Sequence, residues 1–281
     1  MSKKRSRTAE QRDPKTIAFW SFMAVSLVVI VGGYFIATNR AAPVSSAQPS
    51  TEAPSFAVDY PVARDVIAAA RTTPDKPLTL AVIGDSTGNE ENEWVYAFAR
   101  TLSPALDRPI TIHNWSIDTN RYVSETLVGS GRNAPIVIWN GSAPGKDTTY
   151  STDNFSALYP EPTDLTIISH GLNHTNPDLA STGVQNLIYM ARNAQPAPPA
   201  IAVVLQNPRL DDKAAQEDAT VARLRDTFAP ADSGVTAIDV YSAFRAAPDL
   251  AALIRPAPDL VHPNATGSNL WASVVTQTLG V

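Results

Sequence analysis

The sequence of 281 residues contains no cysteine. This absence excludes a disulfide-stabilised scaffold, cysteine-ligated zinc, iron–sulfur clusters and a thiol nucleophile. Charged residues make up only 17 % of the chain and glycine occurs only 13 times, so a highly charged disordered chain and a glycine-repeat fibre are also excluded. Hydrophobic residues, at 44 %, are numerous enough to bury the core of one large domain or two small ones.

The charge is distributed unevenly along the chain. Residues 1–15 contain six basic and two acidic side chains, a net charge of +4, whereas the remaining residues contain 16 basic and 25 acidic ones, a net charge of −9. Nucleic-acid binding needs clustered Lys and Arg side chains to neutralise phosphates. We therefore expect no nucleic-acid partner for the acidic body of the protein.

One long apolar run lies near the N-terminus, from Ile17 to Ala37. Its 21 uncharged residues would form a helix of about 31 Å, close to the ~30 Å hydrocarbon core of a bilayer. Basic residues precede the run and only Arg40 follows it closely, so the positive-inside rule predicts a cytoplasmic N-terminus. We therefore expect a basic cytoplasmic tail at 1–15 and a single transmembrane signal-anchor at 16–37.

Residues 38–60 are rich in Pro, Ser and Ala and have no apolar period, which predicts an extended stalk. The apolar run is longer than the ~7–15 residues of a signal-peptide core, and the small-residue site at Ser45–Ala47 lies well beyond it. Both features favour a retained anchor, although cleavage would give a secreted protein. The expected location is the cell membrane, with residues 61–281 outside the cytoplasm.

Residues 61–281 alternate between short apolar runs and helical patterns. Such alternation predicts one domain, a three-layer α/β/α sandwich with a mainly parallel five-stranded sheet. The run Pro135–Trp139 follows Ile110–Asn114 with no helix between them, so we expect it to be an insertion or a side hairpin. The other predicted strands are Leu78–Ile83, Leu165–Ser169, Ala200–Leu205 and Val235–Val240. The predicted helices are Val62–Arg71, Glu91–Leu106, Ala180–Ala194, Lys213–Phe228, Tyr241–Ile254 and Ala265–Leu279.

A possible nucleophile follows the first predicted strand, in Gly84-Asp85-Ser86-Thr87-Gly88. A serine on a strand-to-helix turn exposes its hydroxyl and has its own N–H at a helix N-terminus, where negative charge is stabilised. The five residues also match the G-x-S-x-G nucleophile elbow of α/β-hydrolases, but only one predicted strand precedes Ser86, which argues against that fold.

Asp259 and His262 precede the last predicted helix. Three residues apart on one turn, they can meet side chain to side chain, the carboxylate then selecting the imidazole tautomer. The alternative is a turn-capping Asp beside a surface His.

A third polar segment, Gly171-Leu172-Asn173, follows another predicted strand and presents an amide donor where an oxyanion could form. His170 and His174, four residues apart, have the spacing of a metal-binding pair. No acidic residue lies between them and no third ligand is near in sequence, so we expect no zinc site.

The loop Trp139–Gly145 contains two glycines and could direct backbone N–H groups at an anion.

Together these motifs resemble those of the SGNH (GDSL-like) hydrolase family, over residues 76–281. Gly84-Asp85-Ser86 is similar to the family's first block, Gly171-Leu172-Asn173 to its third, and Asp259 with His262 to the D-x-x-H of its last. The resemblance implies a flavodoxin-like fold, a Ser86–His262–Asp259 triad and an oxyanion hole formed by Ser86, Gly141 and Asn173.

The chain departs from the family pattern in two places. His174 stands where the family often has Asp, and the second strand ends in Asn114-Trp115-Ser116 without the second-block glycine. Gly141 is taken as the substitute, with Gly145 as the alternative.

The resemblance implies a serine esterase that needs no cofactor and no metal. Because residues 61–281 are expected to be anchored outside the cytoplasm, we expect its substrates to be glycan or lipid esters of the cell envelope. The alternatives are an O-acyltransferase with the same triad and a non-catalytic module that binds cell wall or carbohydrate.

Overall fold

The computed structural model describes residues 60–281. The predicted cytoplasmic tail, the transmembrane segment and the stalk up to residue 59 lie outside the described residues. Within the described part, none of the helices combines the length and the apolar character needed to cross a membrane.

A seven-stranded sheet forms the centre of the described domain, with strand order β3-β2-β4-β1-β5-β6-β7. All neighbouring strands run parallel except β2 and β3, which form an antiparallel pair at one edge. The strands are β1 (Leu78–Gly84), β2 (Ile110–Ser116), β3 (Arg121–Val128), β4 (Ile136–Ser142), β5 (Leu165–Ser169), β6 (Ala200–Leu205) and β7 (Thr236–Asp239).

The predicted α/β/α class is confirmed, but the prediction of five strands was wrong in two respects. The sequence pattern missed β3, because an edge strand that is largely exposed contains no continuous apolar run. The predicted side hairpin at 135–139 is the central strand β4, which lies between β2 and β1 and pairs with both. The hairpin is instead formed by β2 and β3, and the chain returns from it into the middle of the sheet.

Helices cover the sheet on two sides. One core contains Phe98 and Trp271, which pack with Ile112 and Ile138 of the sheet; the other contains Val184 and Leu224, which pack with residues of β1, β5 and β6. The helices are α1 (Ala63–Thr72), α2 (Trp94–Leu106), α3 (Thr148–Asp153), α4 (Phe155–Leu158), α5 (Pro177–Asn193), α6 (Ala214–Phe228), α7 (Val240–Arg245) and α8 (Ala265–Leu279), with 3₁₀ turns at Ala231–Ser233 and Ala251–Leu253.

The predicted helix over 241–254 is shorter than expected. It ends at Arg245, and only a 3₁₀ turn follows at Ala251–Leu253. Pro248 lies between the two pieces, and a proline has no N–H for a helical hydrogen bond and disfavours helical geometry in the residue before it. Ile254, which follows the 3₁₀ turn and leads into the loop that contains Asp259 and His262, has extended backbone angles.

Helix α8 begins immediately after that loop. The Asn264 side chain accepts hydrogen bonds from the amides of Thr266 and Gly267, which is the usual arrangement of an N-cap. Its amide group also donates to the backbone carbonyl of Ala252. Asn264 thereby fixes the end of the loop both to the helix and to the chain that precedes the loop.

Candidate active site

Ser86 lies in a turn that follows the buried strand β1. Because β1, β4 and β5 are parallel, their carboxyl ends meet at one edge of the sheet, where sites of α/β proteins form. Gly84 permits the close approach at this edge, since a Cβ there would lie 3.0 Å from the carbonyl oxygen of Ser169. The following helix begins at Trp94 rather than at Glu91. Ser86 therefore does not lie at a helix N-terminus, contrary to the expectation from sequence.

Ser86, His262 and Asp259 form one chain of hydrogen bonds. Ser86 Oγ lies 2.7 Å from His262 Nε2, and His262 Nδ1 lies 2.8 Å and 3.0 Å from the two carboxylate oxygens of Asp259. A carboxylate can only accept, so the imidazole carries its proton on Nδ1 and Nε2 accepts from the serine hydroxyl. Ser86 and His262, 176 residues apart in sequence, are thus in direct contact.

The Asp259 carboxylate is held in its ionised form. Burial acts to raise the pKa of Asp259, but hydrogen bonds from the amide and ring of His262 and from the Val261 amide outweigh it, so that the pKa is lowered. An ionised Asp259 both selects the imidazole tautomer and stabilises an imidazolium when one forms.

Asp85 stabilises the turn that contains Ser86. It is buried, and its Oδ1 accepts hydrogen bonds from the amide and the hydroxyl of Thr87 at 3.1 Å and 2.9 Å. Burial raises the pKa of Asp85, against the effect of these hydrogen bonds and of one from Gln206. The turn that presents Ser86 is thus fixed by a side chain next to it in sequence.

Gln206 is a site residue that the sequence reasoning missed. It is completely buried, and its Nε2 donates to Asp85 Oδ2 at 3.0 Å and to the Ser169 carbonyl at 3.1 Å. Its Oε1 accepts from the Leu172 amide at 3.0 Å. Gln206 therefore connects the turn of Ser86 to the loop of Asn173. The available signal was a polar residue directly after the apolar strand Ala200–Leu205.

Asn173 lies in the loop after β5 and is half-buried. One hydrogen of its Nδ2 is used by the backbone carbonyl of Lys146, at 3.0 Å. A primary amide has two such hydrogens, so the second is available to another acceptor. The contact also joins the Asn173 loop to the loop that follows β4.

The two candidate glycines occupy different environments. Gly141 is buried inside β4 and pairs with Ile83, three residues before Ser86. Gly145 lies in the exposed loop after β4 with a φ of +70°, and no heavy atom lies within 4 Å of the position its Cβ would take. Within residues 60–281, the N–H groups of Gly145 and Ser86 have no hydrogen-bond acceptor.

His170 and His174 are buried parts of the packing beside this loop. His170 Nε2 is 2.9 Å from the Ser151 hydroxyl, and His174 Nε2 contacts the amide and hydroxyl of Thr148 at 3.3 Å and 3.2 Å. Burial lowers the pKa of His170 to about 3 and also lowers the pKa of His174, so both rings are neutral. In the described part of the chain, no group of three His, Asp or Glu side chains is placed to hold a metal ion.

A pocket of about 330 Å³ adjoins the site between α3 and α5. Asn173 forms part of its wall, so the pocket and the site share a residue. Hydroxyl groups and carboxylates predominate in the lining, which contains no Lys or Arg. The lining residues are Asp147, Thr148, Thr149, Thr152, Asp153, Asn173, His174, Thr175, Leu179, Thr182, Gly183 and Asn186.

Comparison with solved structures identifies the fold. A two-domain esterase active on acetylated mannans is 18 % identical over 80 % of this chain, with a TM-score of 0.56, and this chain spans 54 % of its length. A protein described as a GDSL-like lipase from Parabacteroides merdae is 15 % identical over 73 % of this chain and 97 % of its own, with a TM-score of 0.53. An acetylxylan esterase from Geobacillus stearothermophilus is 15 % identical over 74 % of this chain and 97 % of its own, with a TM-score of 0.51.

Residues 60–281 therefore have the fold of the SGNH (GDSL-like) hydrolases, as the motifs predicted. No family model and no curated protein sequence matches the chain. At these levels of identity the similarity shows the fold alone.

Proposed function

We propose that this protein is a serine ester hydrolase. The observation that carries the proposal is the continuous chain of hydrogen bonds from Ser86 Oγ through His262 to Asp259. Ser86 Oγ attacks the ester carbonyl while His262 Nε2 takes its proton; the C–O bond then breaks, and the imidazolium protonates the leaving alcohol. Water, activated by the same imidazole, then releases the acid from Ser86.

The oxyanion of the tetrahedral intermediate is held by three donors in this proposal: the Ser86 N–H, the Asn173 side-chain amide and the Gly145 N–H. The two backbone amides have no other acceptor within residues 60–281, and Asn173 Nδ2 has one hydrogen to spare. Gly145 is preferred to Gly141 because of the strand register. Gly141 is paired with Ile83, three residues before Ser86, and each strand residue adds about 3.3 Å along the strand. Gly141 is thus up to ~10 Å short of the level of Ser86.

The substrate is proposed to be an acyl ester of a sugar hydroxyl. The pocket beside Asn173 is lined by threonine hydroxyls and by Asp147 and Asp153, with no cationic side chain. Such a lining suits a neutral, hydroxylated group and disfavours both a long apolar tail and an anionic headgroup. Two proteins of the same fold are esterases of acetylated polysaccharides, one active on acetylated mannans and the other an acetylxylan esterase.

The proposed location is the outer face of the cell membrane, with the N-terminal apolar run as the anchor. The run of uncharged residues and the basic residues before it support this topology. Protease added to intact cells should remove a C-terminal reporter and leave the N-terminal tail protected. A protected C-terminal reporter would contradict the topology.

A panel of esters tests the activity. The full-length chain should cleave p-nitrophenyl acetate and acetylated oligosaccharides, with activity falling as the acyl chain lengthens. Ser86→Ala should lower kcat by roughly 10⁶ without loss of structure, whereas the matched control Ser130→Ala, at an exposed serine, should be unaffected. Removal of a triad serine typically lowers kcat by about 10⁶, so retention of more than about a tenth of the wild-type turnover in Ser86→Ala would contradict the assignment of Ser86 as the nucleophile. Acyl transfer to an added glycan, in preference to water, would favour the acyltransferase.

A further inference from the structure

Arg255 lies at the start of the loop that contains Asp259 and His262, and its backbone is hydrogen-bonded to the far end of the same loop. Its amide donates to the His262 carbonyl at 2.8 Å, and its carbonyl accepts from the Leu260 amide at 3.3 Å. Its side-chain Nε donates to the Pro263 carbonyl at 3.2 Å. Arg255 therefore holds the loop by hydrogen bonds to the backbone of residues before and after His262 as well as to His262 itself.

The guanidinium of Arg255 also reaches the segment that follows Ser86. Its Nη2 donates to Glu90 Oε2 and to Glu93 Oε1, each at 3.0 Å. Glu93 is buried, with 1 % of its side chain exposed, and its second oxygen accepts from the Glu90 amide at 2.8 Å. Arg255 thus connects the two segments whose separation sets the distance between Ser86 and His262.

Arg255 contacts the triad electrostatically as well. Its Nη1 lies 3.8 Å from Asp259 Oδ2, so one cation is shared among Asp259, Glu90 and Glu93. About a quarter of the Arg255 side chain is exposed, so solvent screens these charges less than it would at the open surface. Burial raises the pKa of Glu93 to about 7, against the effects of the Glu90 amide and of Arg255.

We propose that Arg255 is a positioning residue for the triad, held by Glu90 and Glu93, and that its charge sets how strongly Asp259 stabilises the imidazolium of His262. The proposal rests on the proposed hydrolase function for its kinetic consequences. The two parts of the proposal differ in what they require of the side chain. Positioning the loop requires both the Nε donor to Pro263 and the Nη2 donor to Glu90 and Glu93, whereas the charge effect requires only a cation near Asp259.

The charge effect has a definite sign. The His262 ring contacts Asp259 and interacts electrostatically with Asp85. Arg255 is paired with Asp259, and Glu90 and Glu93 are paired with Arg255. A cation beside Asp259 offsets part of its charge and so disfavours the imidazolium. Removing this cation should therefore move protonation of the imidazole to higher pH. A purely structural role would not predict a shift in this direction.

Three variants of the full-length chain test the proposal with p-nitrophenyl acetate. Arg255→Met should lower kcat by about 10–100-fold with a smaller change in KM, since small displacements of catalytic groups have costs of this order. The midpoint of the acid limb of its kcat/KM profile should rise by about 0.5–1 pH unit, as expected for loss of one nearby cation. Arg255→Lys should keep the wild-type midpoint, because it keeps the charge, but recover only part of kcat. Arg223→Met is the matched control, since Arg223 pairs with Asp178 at the surface, and should change neither quantity.

The proposal is overturned if Arg255→Met keeps kcat within about twofold, or if the midpoint stays in place or falls. It is also overturned if Arg255→Lys shifts the midpoint as Arg255→Met does. Should Arg255→Met fail to fold, Glu90→Gln serves instead: it removes a half-exposed anion that offsets Arg255, so the midpoint should move to lower pH. An NMR titration of the His262 imidazole reports the same shifts without substrate. Inactivity of the wild-type enzyme on every ester would therefore refute the proposed function while leaving the role of Arg255 separately testable.

Discussion

His262 Nε2 lies 2.7 Å from Ser86 Oγ, and the two residues belong to loops at opposite ends of the folded chain. Both loops are fixed by neighbouring side chains. Hydrogen bonds to the buried Asp85 hold the Ser86 loop, and the N-cap Asn264 holds the His262 loop. A short contact between two loops that are each supported in this way is characteristic of a preorganised site.

Asn173→Ala should lower kcat by roughly 10²–10³, or about 3–4 kcal/mol, with little change in KM. The reason is that its side-chain amide interacts with a charge that exists only in the transition state. Steady-state kinetics on p-nitrophenyl acetate would measure the effect. Asn193→Ala, at an exposed asparagine of α5, is the control and should behave like the wild type. An increase in KM without a loss of kcat would assign Asn173 to substrate binding instead.

Gly145→Ala should lower kcat more than it lowers Tm. The site is open, but a side chain at a φ of +70° is strained by about 1 kcal/mol or more, and relief of this strain would turn the amide away from the oxyanion. Gly141→Ala should do the opposite, because its Cβ would lie 2.7 Å from Leu158 Cδ2 and 3.1 Å from the Val82 carbonyl oxygen. Thermal denaturation and kcat measured on both variants decide the assignment. A stable but inactive Gly141→Ala would return the role to Gly141.

Thr149→Val and Thr182→Val should raise KM for acetylated oligosaccharides and leave kcat/KM for p-nitrophenyl acetate unchanged. Both threonines line the pocket beside Asn173, and valine keeps the shape of the side chain while removing its hydroxyl. A lost hydrogen bond to a sugar is worth about 0.5–1.5 kcal/mol, so a rise in KM of roughly two- to tenfold is expected for each variant. Equal effects on both substrates would place the sugar elsewhere.

Glu217→Gln should stabilise the protein increasingly as the pH rises. Burial raises the pKa of Glu217 to about 8, assisted by the nearby Asp85 and opposed by Arg209. Above the usual value of 4.5, the unfolded chain loses a proton that the folded protein retains, so this group lowers stability as the pH rises towards 8. The free energy of unfolding can fall by at most about 1.4 kcal/mol for each pH unit through this one group.

The test is the difference in Tm between Glu217→Gln and the wild type, which should grow from about pH 5 to about pH 8. Asp212→Asn, at an exposed carboxylate in the turn before α6, should show a constant difference over the same range. A constant difference for Glu217→Gln as well would mean that the carboxyl group is ionised in the folded protein throughout.

The sequence by itself determined the layered α/β/α class and the three polar motifs at the ends of strands. Buried parallel strands are read from continuous apolar runs such as Leu165–Ser169, and the short-range pair Asp259 and His262 meets within one turn. These features depend on neighbours in the chain, so local patterns are enough to predict them.

The tertiary structure decided what depends on contacts between distant segments. Strand β3 is held by pairing with β2 rather than by its own apolar residues, and β4 enters the centre of the sheet after a hairpin that no local pattern marks. The roles of Gln206 and Arg255 are of the same kind, since each side chain contacts residues more than 30 positions away. A hydrogen bond between distant segments leaves no periodicity in the sequence, and its partners become known only when the fold brings them together.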